Sequence, residues 1–464
     1  MSAGPARTRR TSVDQLALEL PLELPAIAIA PEWKAQQRLW GHSLHPMCSY
    51  LASFPAALTH AFIARYSRPG DVVLDPFSGR GTTPLQACAE GRVGVGNDLN
   101  PFAHLLTAAK VQPASRGAAT TRLAQLRLAW NAGRAGWLAL ATSVHQDPAA
   151  LVPAAGSGDG PAAGVEPVPP EVAVAFHPAT LAQLLFVRTT LRLDDRTDRF
   201  LAAAITGILH GKSASYLSEL MPNTFSMAPR YVRDFARRTG FASPERDLFD
   251  GLAAKLDRLF RQPPPRTEGI ALLGDARDVA ERARDALRGS GRPDRVRLVV
   301  TSPPYLRVVK YGYYNWLRTW FLGFDARRID DTLDDAHHRA PYLAFLREVL
   351  ADLRPILADD AVLVLVIGDV ETDRGRRIRG GVGLAERAFE QAAEPEGFRL
   401  AGVALDDVAA VRKMTKLWGD EAGQATKTDR ILVLGATETG RRRALAGAHA
   451  DVDWSWPPRS LRSL

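Results

Sequence analysis

Two short polar segments carry the residue types that could perform chemistry in this chain. Residues 75–83 read DPFSGRGTT, and residues 301–305 read TSPPY. Each segment follows an apolar run rich in β-branched residues, which predicts a strand that ends where the polar segment begins. Ligands of open parallel sheets bind outside the carboxyl ends of the strands. The two segments therefore predict a single site at one edge of a sheet.

The first segment has the composition of a loop that binds a nucleoside cofactor. Gly79 and Gly81 let the backbone bend sharply and approach a ligand closely. The helix predicted to follow presents unpaired N–H groups, and Thr82 or Thr83 is expected to cap it. A dinucleotide fingerprint, G-x-G-x-x-G, is disfavoured because Pro84 stands three residues after Gly81.

Acidic residues end the first three predicted strands, at Asp75, Asp98 and Asp275. A carboxylate at Asp98 can accept from both ribose hydroxyls of a nucleoside, and charge-assisted bonds of that kind contribute roughly 1.5–3 kcal/mol each. Asp275 and the neighbouring Ala276 are expected to reach the adenine ring. Any one of these residues alone would suit a turn at a strand end, but three in succession favour a cofactor site.

Together the two segments resemble those of the DNA amino-methyltransferases, which modify cytosine N4 or adenine N6. The likeness covers about 40–110 and 270–435, and residues 54–63 resemble the family's helix over the methionine end of the cofactor. It implies S-adenosylmethionine as cofactor and an α/β fold of the class I methyltransferase type, a Rossmann-like seven-stranded sheet with an antiparallel last strand. The cofactor contacts that it implies are Asp75, Pro76, Phe77, Ser78, Gly79, Gly81, Thr82, Thr83, Asp98, Asn100, Asp275 and Ala276.

The resemblance assigns the reaction to Ser302, Pro303, Pro304 and Tyr305. An exocyclic amine is a poor nucleophile because its lone pair is conjugated with the ring, and two acceptors, Ser302 Oγ and the Pro303 carbonyl, would direct that lone pair at the methyl group. Flipping the base costs a few kcal/mol, and stacking on Tyr305 would return about 1–3 kcal/mol. A serine at the first position is more typical of N4-cytosine enzymes and an aspartate of N6-adenine enzymes, so the sequence predicts cytosine N4.

Strand and helix patterns alternate around these segments as a doubly wound sheet requires. Seven strands are predicted, at 71–75, 92–96, 271–273, 297–300, 361–367, 398–405 and 430–434, with helices between the first five. The predicted divisions are a flexible tail (1–31), two parts of the core (32–110 and 269–437), a mainly helical insertion (111–268) with a disordered stretch at 148–170, and a second tail (438–464).

We expect the insertion to recognise the target, since no other region is large enough. Small polar and basic residues there can contact phosphates and base edges, although an exposed basic helix is the commoner meaning of such a run. The aromatic residues of 306–323 fall at helical spacing and are expected to be mainly core. The candidate DNA contacts are Lys212, Asn223, Arg230, Arg233, Arg237 and Lys310.

The composition suits a globular protein with a polyanionic partner. The net charge is +8, although 51 arginines against 8 lysines also fit a GC-rich coding sequence. Cys48 and Cys88 cannot form a disulfide framework or a thiolate zinc site, and no metal is expected. No apolar run is long enough to cross a bilayer and no secretory segment is recognisable, so a cytoplasmic protein without membrane contact is expected.

The sequence thus predicts a site-specific methyltransferase of double-stranded DNA, in a restriction-modification system or alone, with a cognate restriction endonuclease as a candidate partner. An N6-adenine enzyme is one alternative. An RNA guanine-N2 methyltransferase is another, disfavoured because only about 65 residues precede the core. A catalytically silent DNA-binding subunit is disfavoured by the intact Asp75, Gly79, Asp98 and Ser302. The order of the two segments departs from the commonest permutation of the family, which leaves the position of the recognition region open.

Overall fold

The computed structural model describes residues 29–457, except for 30, 38, 52, 148, 158–164, 305–309, 334–338, 369–371, 374–375, 378–382, 408–415, 419–420 and 423–427. Tyr305 and the predicted tail up to residue 28 therefore lie outside the described residues. No helix within the described ranges is long and apolar enough to cross a bilayer.

Seven strands form the central sheet, in the order β6-β7-β5-β4-β1-β2-β3. Strand β7 runs antiparallel to both of its neighbours, and the other pairings are parallel. The predicted α/β sheet of the class I methyltransferase type is therefore confirmed, including its antiparallel last strand. The strands are β1 (Val72–Asp75), β2 (Val93–Asp98), β3 (Ile270–Leu273), β4 (Val296–Thr301), β5 (Leu357–Gly368), β6 (Arg399–Asp407) and β7 (Thr428–Gly435).

Helices cover both faces of this sheet, which is why its inner strands are almost continuously apolar. Strand β1 is buried along its whole length, and β5 is buried from Ala361 to Gly368. The helices are α1 (Ala56–Tyr66), α2 (Thr82–Ala89), α3 (Pro101–Val111), α4 (Arg116–Gln146), α5 (Pro170–Ala175), α6 (Pro178–Thr190), α7 (Arg196–Thr206), α8 (Pro229–Thr239), α9 (Leu248–Leu259), α10 (Val279–Gly289), α11 (Tyr311–Tyr314), α12 (Trp316–Leu322), α13 (Ala326–Thr332), α14 (Arg339–Leu353), α15 (Leu384–Ala388) and α16 (Glu438–Gly447).

Helices α4 to α9 stand between β2 and β3 in the chain, within the predicted insertion. Their apolar core is continuous with side chains of α3 and of α12, such as Phe102, Leu106 and Leu317. All three aromatic rings of α12 are buried in that core, namely Trp316, Trp320 and Phe321. The helical body is thus packed onto the same part of the sheet that carries the two polar segments.

The prediction of a disordered stretch at 148–170 is wrong for its described part. Leu151–Pro153 pairs antiparallel with Val165–Pro167, and α5 already begins at Pro170. Val152 and Val168 are buried. Apolar side chains between the small residues thus have a core to enter, which composition alone does not reveal.

The prediction of a tail from residue 438 is also wrong as far as residue 457. Helix α16 packs against β5 and β7. Arg443 in that helix donates to the backbone carbonyls of Asp360 and Tyr66, at 2.9 and 2.7 Å. The run of arginines resembles a solvated segment in sequence, but Arg441 also donates to a backbone carbonyl, that of Leu400, at 2.9 Å, whereas Arg442 is exposed.

Candidate cofactor and reaction site

A cavity of about 250 Å³ lies outside the carboxyl ends of β1, β2, β3 and β4. Both polar segments contribute to its wall. Of the residues singled out from the sequence, those that line it are Asp75, Pro76, Phe77, Ser78, Gly79, Thr82, Asp98, Asn100, Asp275, Ala276, Ser302, Pro303, Pro304 and Lys310. The cavity thus brings together residues that are more than 200 positions apart in the chain.

The glycine loop between β1 and α2 requires two residues with left-handed backbone. Gly79 has φ 50° and Gly81 has φ 76°. A Cβ atom at Gly81 would lie 2.9 Å from Thr107 Cα, so no larger residue fits there without movement of α3. Gly81 itself does not line the cavity; it sets the path of the loop that does.

The expectation that Thr82 or Thr83 caps α2 is wrong. Gly81 is the residue before the helix, and no described side chain caps its first turn. Thr83 Oγ1 instead donates to the Val300 carbonyl at 3.0 Å, which ties α2 to β4, and Thr83 is not part of the cavity wall. Both threonines stand inside the helix, and Thr82 Oγ1 accepts from Arg80 Nε at 3.3 Å.

Asp75 joins the two polar segments directly. Its Oδ1 accepts from Thr301 Oγ1 at 2.6 Å and from the Phe77 N–H at 3.1 Å. The side chain is buried, and this burial raises the pKa of Asp75 to about 7, while the bonds from Thr301 and Phe77 act against the rise. A cation bound beside this carboxylate would favour its ionised form.

Asp98 is held by backbone N–H groups on both oxygens. Gly79 N–H donates to Oδ2 at 2.8 Å and Asn100 N–H donates to Oδ1 at 2.9 Å. Burial raises the pKa of Asp98 to about 6. Each oxygen of a carboxylate can accept a second bond, so the side chain keeps acceptor capacity for a pair of hydroxyls.

Asp275 is placed at the cavity, but a neighbouring cation already pairs with it. Arg277 Nη2 lies 2.6 Å from Asp275 Oδ2, and this bond holds the pKa of Asp275 below its usual value. The same guanidinium lies over the Phe345 ring, 5.6 Å from its centroid. Phe345 in turn contacts Phe77, with ring centroids 5.7 Å apart, so this end of the cavity has aromatic walls.

Ser302 presents a hydroxyl oxygen without a partner. Its Oγ is buried and has no hydrogen bond to any described residue. Buried polar atoms in native proteins nearly always have a partner. An unpaired oxygen beside Pro303 and Pro304, on the wall of a cavity that also contains the glycine loop, therefore fits a ligand that donates to it.

Sequence reasoning missed several residues of the wall. Asn97 Nδ2 donates to the carbonyls of Pro76 and Gly274, at 3.1 and 3.0 Å, and holds two strand-end loops together. Its place next to Asp98 at a strand end is a signal that could have found it. Tyr50 and Phe345 lie far from the two segments in sequence, and no local pattern marks them.

Tyr50 forms an aromatic wall with Tyr311. The two rings stack at 5.6 Å with an interplanar angle of 17°. Tyr50 Oη accepts from Asn100 Nδ2 at 3.1 Å, and Asn100 Oδ1 accepts from the Phe102 N–H at the start of α3. The stack therefore rests on the same loop that carries Asp98.

Of the candidate DNA contacts, only Lys310 lines the cavity. Lys212 is exposed, and Asn223 Nδ2 donates to Tyr216 Oη at 3.1 Å. On α8, Arg230 and Arg237 each lie 3.7 Å from Asp234, and their side chains are 88% and 80% exposed. Arg233 pairs with Glu171 at 3.1 Å. Most of the predicted DNA contacts thus lie on the helical body outside the cavity.

The wall suits S-adenosylmethionine. It offers acceptors for ribose hydroxyls at Asp98, carboxylate for a cationic group at Asp75, aromatic rings beside Ala276, and an unpaired oxygen at Ser302 near the expected reaction. Within the described ranges, no cluster of three or more histidine, cysteine or acidic side chains is arranged to hold a metal ion. Cys48 and Cys88 are free and buried.

Comparison with known proteins gives matches over the first part of the core. Residues 25–109 match the family model described as DNA methylase. The type II methyltransferase M.MjaII of Methanocaldococcus jannaschii is 37% identical over 71 residues, 15% of this chain and 13% of the relative. M.Cfr9I of Citrobacter freundii is 36% identical over 70 residues, 15% of this chain and 23% of the relative. M.XycI of Xanthomonas campestris pv. cyanopsidis is 36% identical over 78 residues, 17% of this chain and 26% of the relative.

The chain spans only 13% to 26% of the length of these curated relatives. Among solved structures, TrmN of Thermus thermophilus aligns over 84% of this chain and 52% of its own, with 11% identity and a TM-score of 0.30. The rRNA methyltransferase aviRa of Streptomyces viridochromogenes aligns over 86% of this chain and 90% of its own, with 12% identity and a TM-score of 0.26. Scores this low carry no conclusion about function. The family model and the curated relatives do confirm the resemblance to the DNA amino-methyltransferase family, over the segment that carries the glycine loop.

Proposed function

We propose that this protein is a DNA amino-methyltransferase that transfers a methyl group from S-adenosylmethionine to the exocyclic amine of a flipped base, with cytosine N4 as the acceptor. The observation that carries the proposal is the unpaired, buried Ser302 Oγ on the wall of the cavity that holds the glycine loop. The matching family model and the type II methyltransferases among the relatives support it.

The proposed chemistry needs only positioned acceptors from the chain. S-adenosylmethionine supplies an electrophilic methyl group on a positively charged sulfur. Ser302 Oγ and the Pro303 carbonyl accept from the two N–H groups of the amine and aim its lone pair. Pro303 and Pro304 have no backbone N–H and restrict the backbone, which keeps these acceptors in a fixed place. The carbon–sulfur bond would break as the carbon–nitrogen bond forms, S-adenosylhomocysteine would leave with the electron pair of the broken bond, and one amine proton would pass to water.

The choice of base rests on the residue type at position 302. A serine there is the form typical of N4-cytosine enzymes, and the cavity residues do not by themselves discriminate between the two bases. We therefore propose cytosine N4 and treat adenine N6 as the outcome that would correct the base but keep the enzyme. Tyr305, outside the described residues, remains the proposed stacking partner of the base.

We also propose that the helical body between β2 and β3 binds the DNA. Helix α8 carries exposed arginines, and it begins two residues after Met227, whose carbonyl accepts from Trp316 Nε1 at 2.6 Å. Ser226 N–H donates to the Tyr314 carbonyl at 2.6 Å. The start of α8 is thus attached to α11, whose first residue lines the cavity. A restriction endonuclease as functional partner is part of the proposal that the sequence alone suggests.

The test is a methyl-transfer assay with isotope-labelled S-adenosylmethionine, duplex DNA and, in parallel, bulk RNA, followed by mass spectrometry of the nucleosides. Labelled N4-methylcytosine supports the proposal, whereas labelled N6-methyladenine corrects the base. Label in RNA alone, or in neither nucleic acid, overturns it.

The catalytic role of Ser302 is tested with Ser302→Ala. Loss of one acceptor that acts in the transition state should lower kcat roughly hundredfold, with little change in cofactor affinity. Ser243→Ala is the matched control, because Ser243 is a buried serine outside the cavity whose Oγ donates to the Ala175 carbonyl. Equal kcat values for the two variants would contradict the role given to Ser302.

A further inference from the structure

Arg318 in α12 is a buried cation that binds backbone oxygens of the helical body. Only 1% of the residue is exposed. Its guanidinium donates to the carbonyls of Asn223 at 2.6 Å, Thr206 at 3.3 Å and Thr224 at 3.4 Å. No carboxylate lies within ion-pair distance among the residues that the structure describes. A buried charge without a carboxylate partner is costly unless hydrogen-bond acceptors surround it. The bonds to Asn223 and Thr224 therefore hold the loop 223–224 in place relative to α12.

The same guanidinium reaches towards the cavity through one further residue. Arg318 Nη1 donates to Asn315 Oδ1 at 2.8 Å, and Asn315 Nδ2 donates to the Tyr311 carbonyl at 2.9 Å. Both side chains are buried. An arginine can make these bonds at once because its five N–H groups form a rigid fork, which a lysine cannot imitate.

Tyr311 continues this series of contacts to the loop after β2, which carries Asp98 and Asn100. Its ring stacks on Tyr50, and Tyr50 Oη accepts from Asn100 Nδ2 at 3.1 Å. Asn100 N–H donates to Asp98 Oδ1 at 2.9 Å. A contiguous set of packed and hydrogen-bonded groups therefore joins the loop 223–224 of the helical body to the proposed ribose acceptor.

We propose that Arg318 is a positioning residue that couples the helical body to the cofactor cavity through Asn315 and the Tyr50–Tyr311 stack. Arg318 itself does not line the cavity. A displacement of the loop 223–224 would move the carbonyl oxygens that the guanidinium binds. The guanidinium would shift with them, and Asn315 would transmit this shift to the Tyr311 backbone. The DNA part of this inference rests on the proposed function, whereas the effect on cofactor binding does not.

The coupling has a reciprocal consequence. If DNA bound on the helical body favours one position of the stack, it must raise or lower the affinity for S-adenosylmethionine, and the cofactor must change the affinity for DNA by the same factor. Loss of Arg318 should therefore remove the mutual effect even if each ligand still binds alone.

The experiment compares Arg318→Lys and Asn315→Ala with the parent by calorimetric titration of S-adenosylmethionine, without and with saturating duplex DNA. We expect each variant to bind the cofactor roughly tenfold more weakly than the parent and to lose the effect of DNA on cofactor affinity. A variant with both substitutions should bind the cofactor no more weakly than Arg318→Lys, because the two residues act in series. Arg188→Lys is the control for a lysine at a buried arginine, since Arg188 is 4% exposed and lies outside the cavity.

Asn315→Ala leaves the guanidinium and its bonds to the helical body intact, so a folding defect of Arg318→Lys would not leave the question open. Parent-like cofactor affinity in Asn315→Ala overturns the inference, as does an equal loss in Arg188→Lys. If the parent binds the cofactor but methylates no nucleic acid, the proposed function fails, and the titrations without DNA still decide the role of Arg318.

Discussion

Asp75 shows how a single buried carboxylate can connect the glycine loop to the TSPPY segment. Thr301 Oγ1 donates to it from the residue just before Ser302, and the Phe77 N–H donates from the glycine loop. Burial raises the pKa of Asp75 to about 7, so the group changes charge near neutral pH. A cofactor with a cationic sulfur and a cationic amino group favours the ionised form, whereas the free cavity favours the neutral one.

We therefore predict that the affinity for S-adenosylmethionine rises with pH through about 7, by up to about tenfold per pH unit below that value. The measurement is a titration series from about pH 5.5 to about pH 8.5. S-adenosylhomocysteine, which lacks the sulfonium charge, should show a weaker dependence. Asp75→Asn should remove most of the dependence, and an unchanged pH profile in that variant would contradict the role of Asp75.

The contribution of Asp75 to the free energy of unfolding changes with pH in the opposite direction, and falls as the pH rises. A carboxyl whose pKa rises on folding, from 3.8 to about 7 for Asp75, stabilises the fold below pH 3.8 and loses that contribution as the pH rises through about 7. In the absence of cofactor, Asp75→Asn should thus unfold at a higher urea concentration than the parent at pH 8. A lower midpoint would show that the carboxylate is needed for folding.

At the scale of residues, the sequence identified polar residues of the cavity wall but not their surroundings. Asp75, Asp98 and Ser302 are recognisable because each stands within two residues of the end of an apolar run. The actual role of Thr83 could not be predicted, since its partner, the Val300 carbonyl, is more than 200 positions away. The same holds for Tyr50, which approaches Asn100 only in the folded chain.

Among the elements, α8 has the features of a helix that meets phosphates. It is amphipathic, with Val232 as its buried residue and arginines on the exposed side. Replacement of Arg230, Arg233 and Arg237 by alanine should weaken DNA binding and lower the slope of log affinity against log salt by about 3, if each arginine neutralises one phosphate. The measurement is fluorescence anisotropy of labelled duplex at several salt concentrations.

The control for α8 removes the same charge from the opposite edge of the sheet. Arg288, Arg292 and Arg295 are exposed and precede the first residue of β4, whereas the cavity lies beyond its last. Their triple alanine variant should bind DNA like the parent. Equal losses in the two variants would mean that net charge, not the position of α8, determines the binding.

The strands were predictable because their apolar runs are long and sit between polar turns. The predicted strand 361–367 lies inside the observed β5, Leu357–Gly368. Helix α16 was not predicted, because three successive arginines suggest a solvated chain, and the carbonyls of Tyr66 and Asp360 that accept from Arg443 are distant in sequence. Elements stabilised by distant backbone acceptors carry no local signal.

For the whole molecule, the segment 451–457 closes the fold over α1. Trp454 contacts the rings of Trp40 and His60, at 5.8 and 5.3 Å between centroids, and its Nε1 donates to Glu32 Oε2 at 2.9 Å. His60 Nε2 lies 3.1 Å from the Asp453 carbonyl oxygen. Residues from both ends of the described chain thus share one aromatic cluster.

We predict that Trp454→Ala lowers the free energy of unfolding by about 2 kcal/mol, because it removes a large ring from a partly buried cluster. The measurement is urea denaturation followed by circular dichroism. Leu128→Ala is the control, since Leu128 is 73% exposed and should change stability by less than about 0.5 kcal/mol. Equal midpoints for the two variants would mean that the segment 451–457 contributes little to folding.

The class of fold and the edge of the sheet that holds the site were both predictable, because alternating strand and helix patterns indicate a doubly wound sheet and the polar segments mark where its strands end. The order of the strands and the antiparallel last strand were implied by the family resemblance and not by the spacing of apolar runs. The shared core of the helical body with α3 and α12 was not predictable, because it depends on side chains from distant parts of the chain, such as Phe102 and Leu317. Docking of one helical group on another is decided by shape, and amphipathic patterns in single helices do not encode it.

The contact between Glu32 and Trp454 has a consequence for how the chain could be rearranged. Residues that meet in this way can be joined by a short linker, and a new pair of termini can be opened in an exposed loop without changing which strands are neighbours. A circular permutant opened between β2 and β3 would place the TSPPY segment ahead of the glycine loop in the chain. The order of the seven strands within the sheet would stay the same.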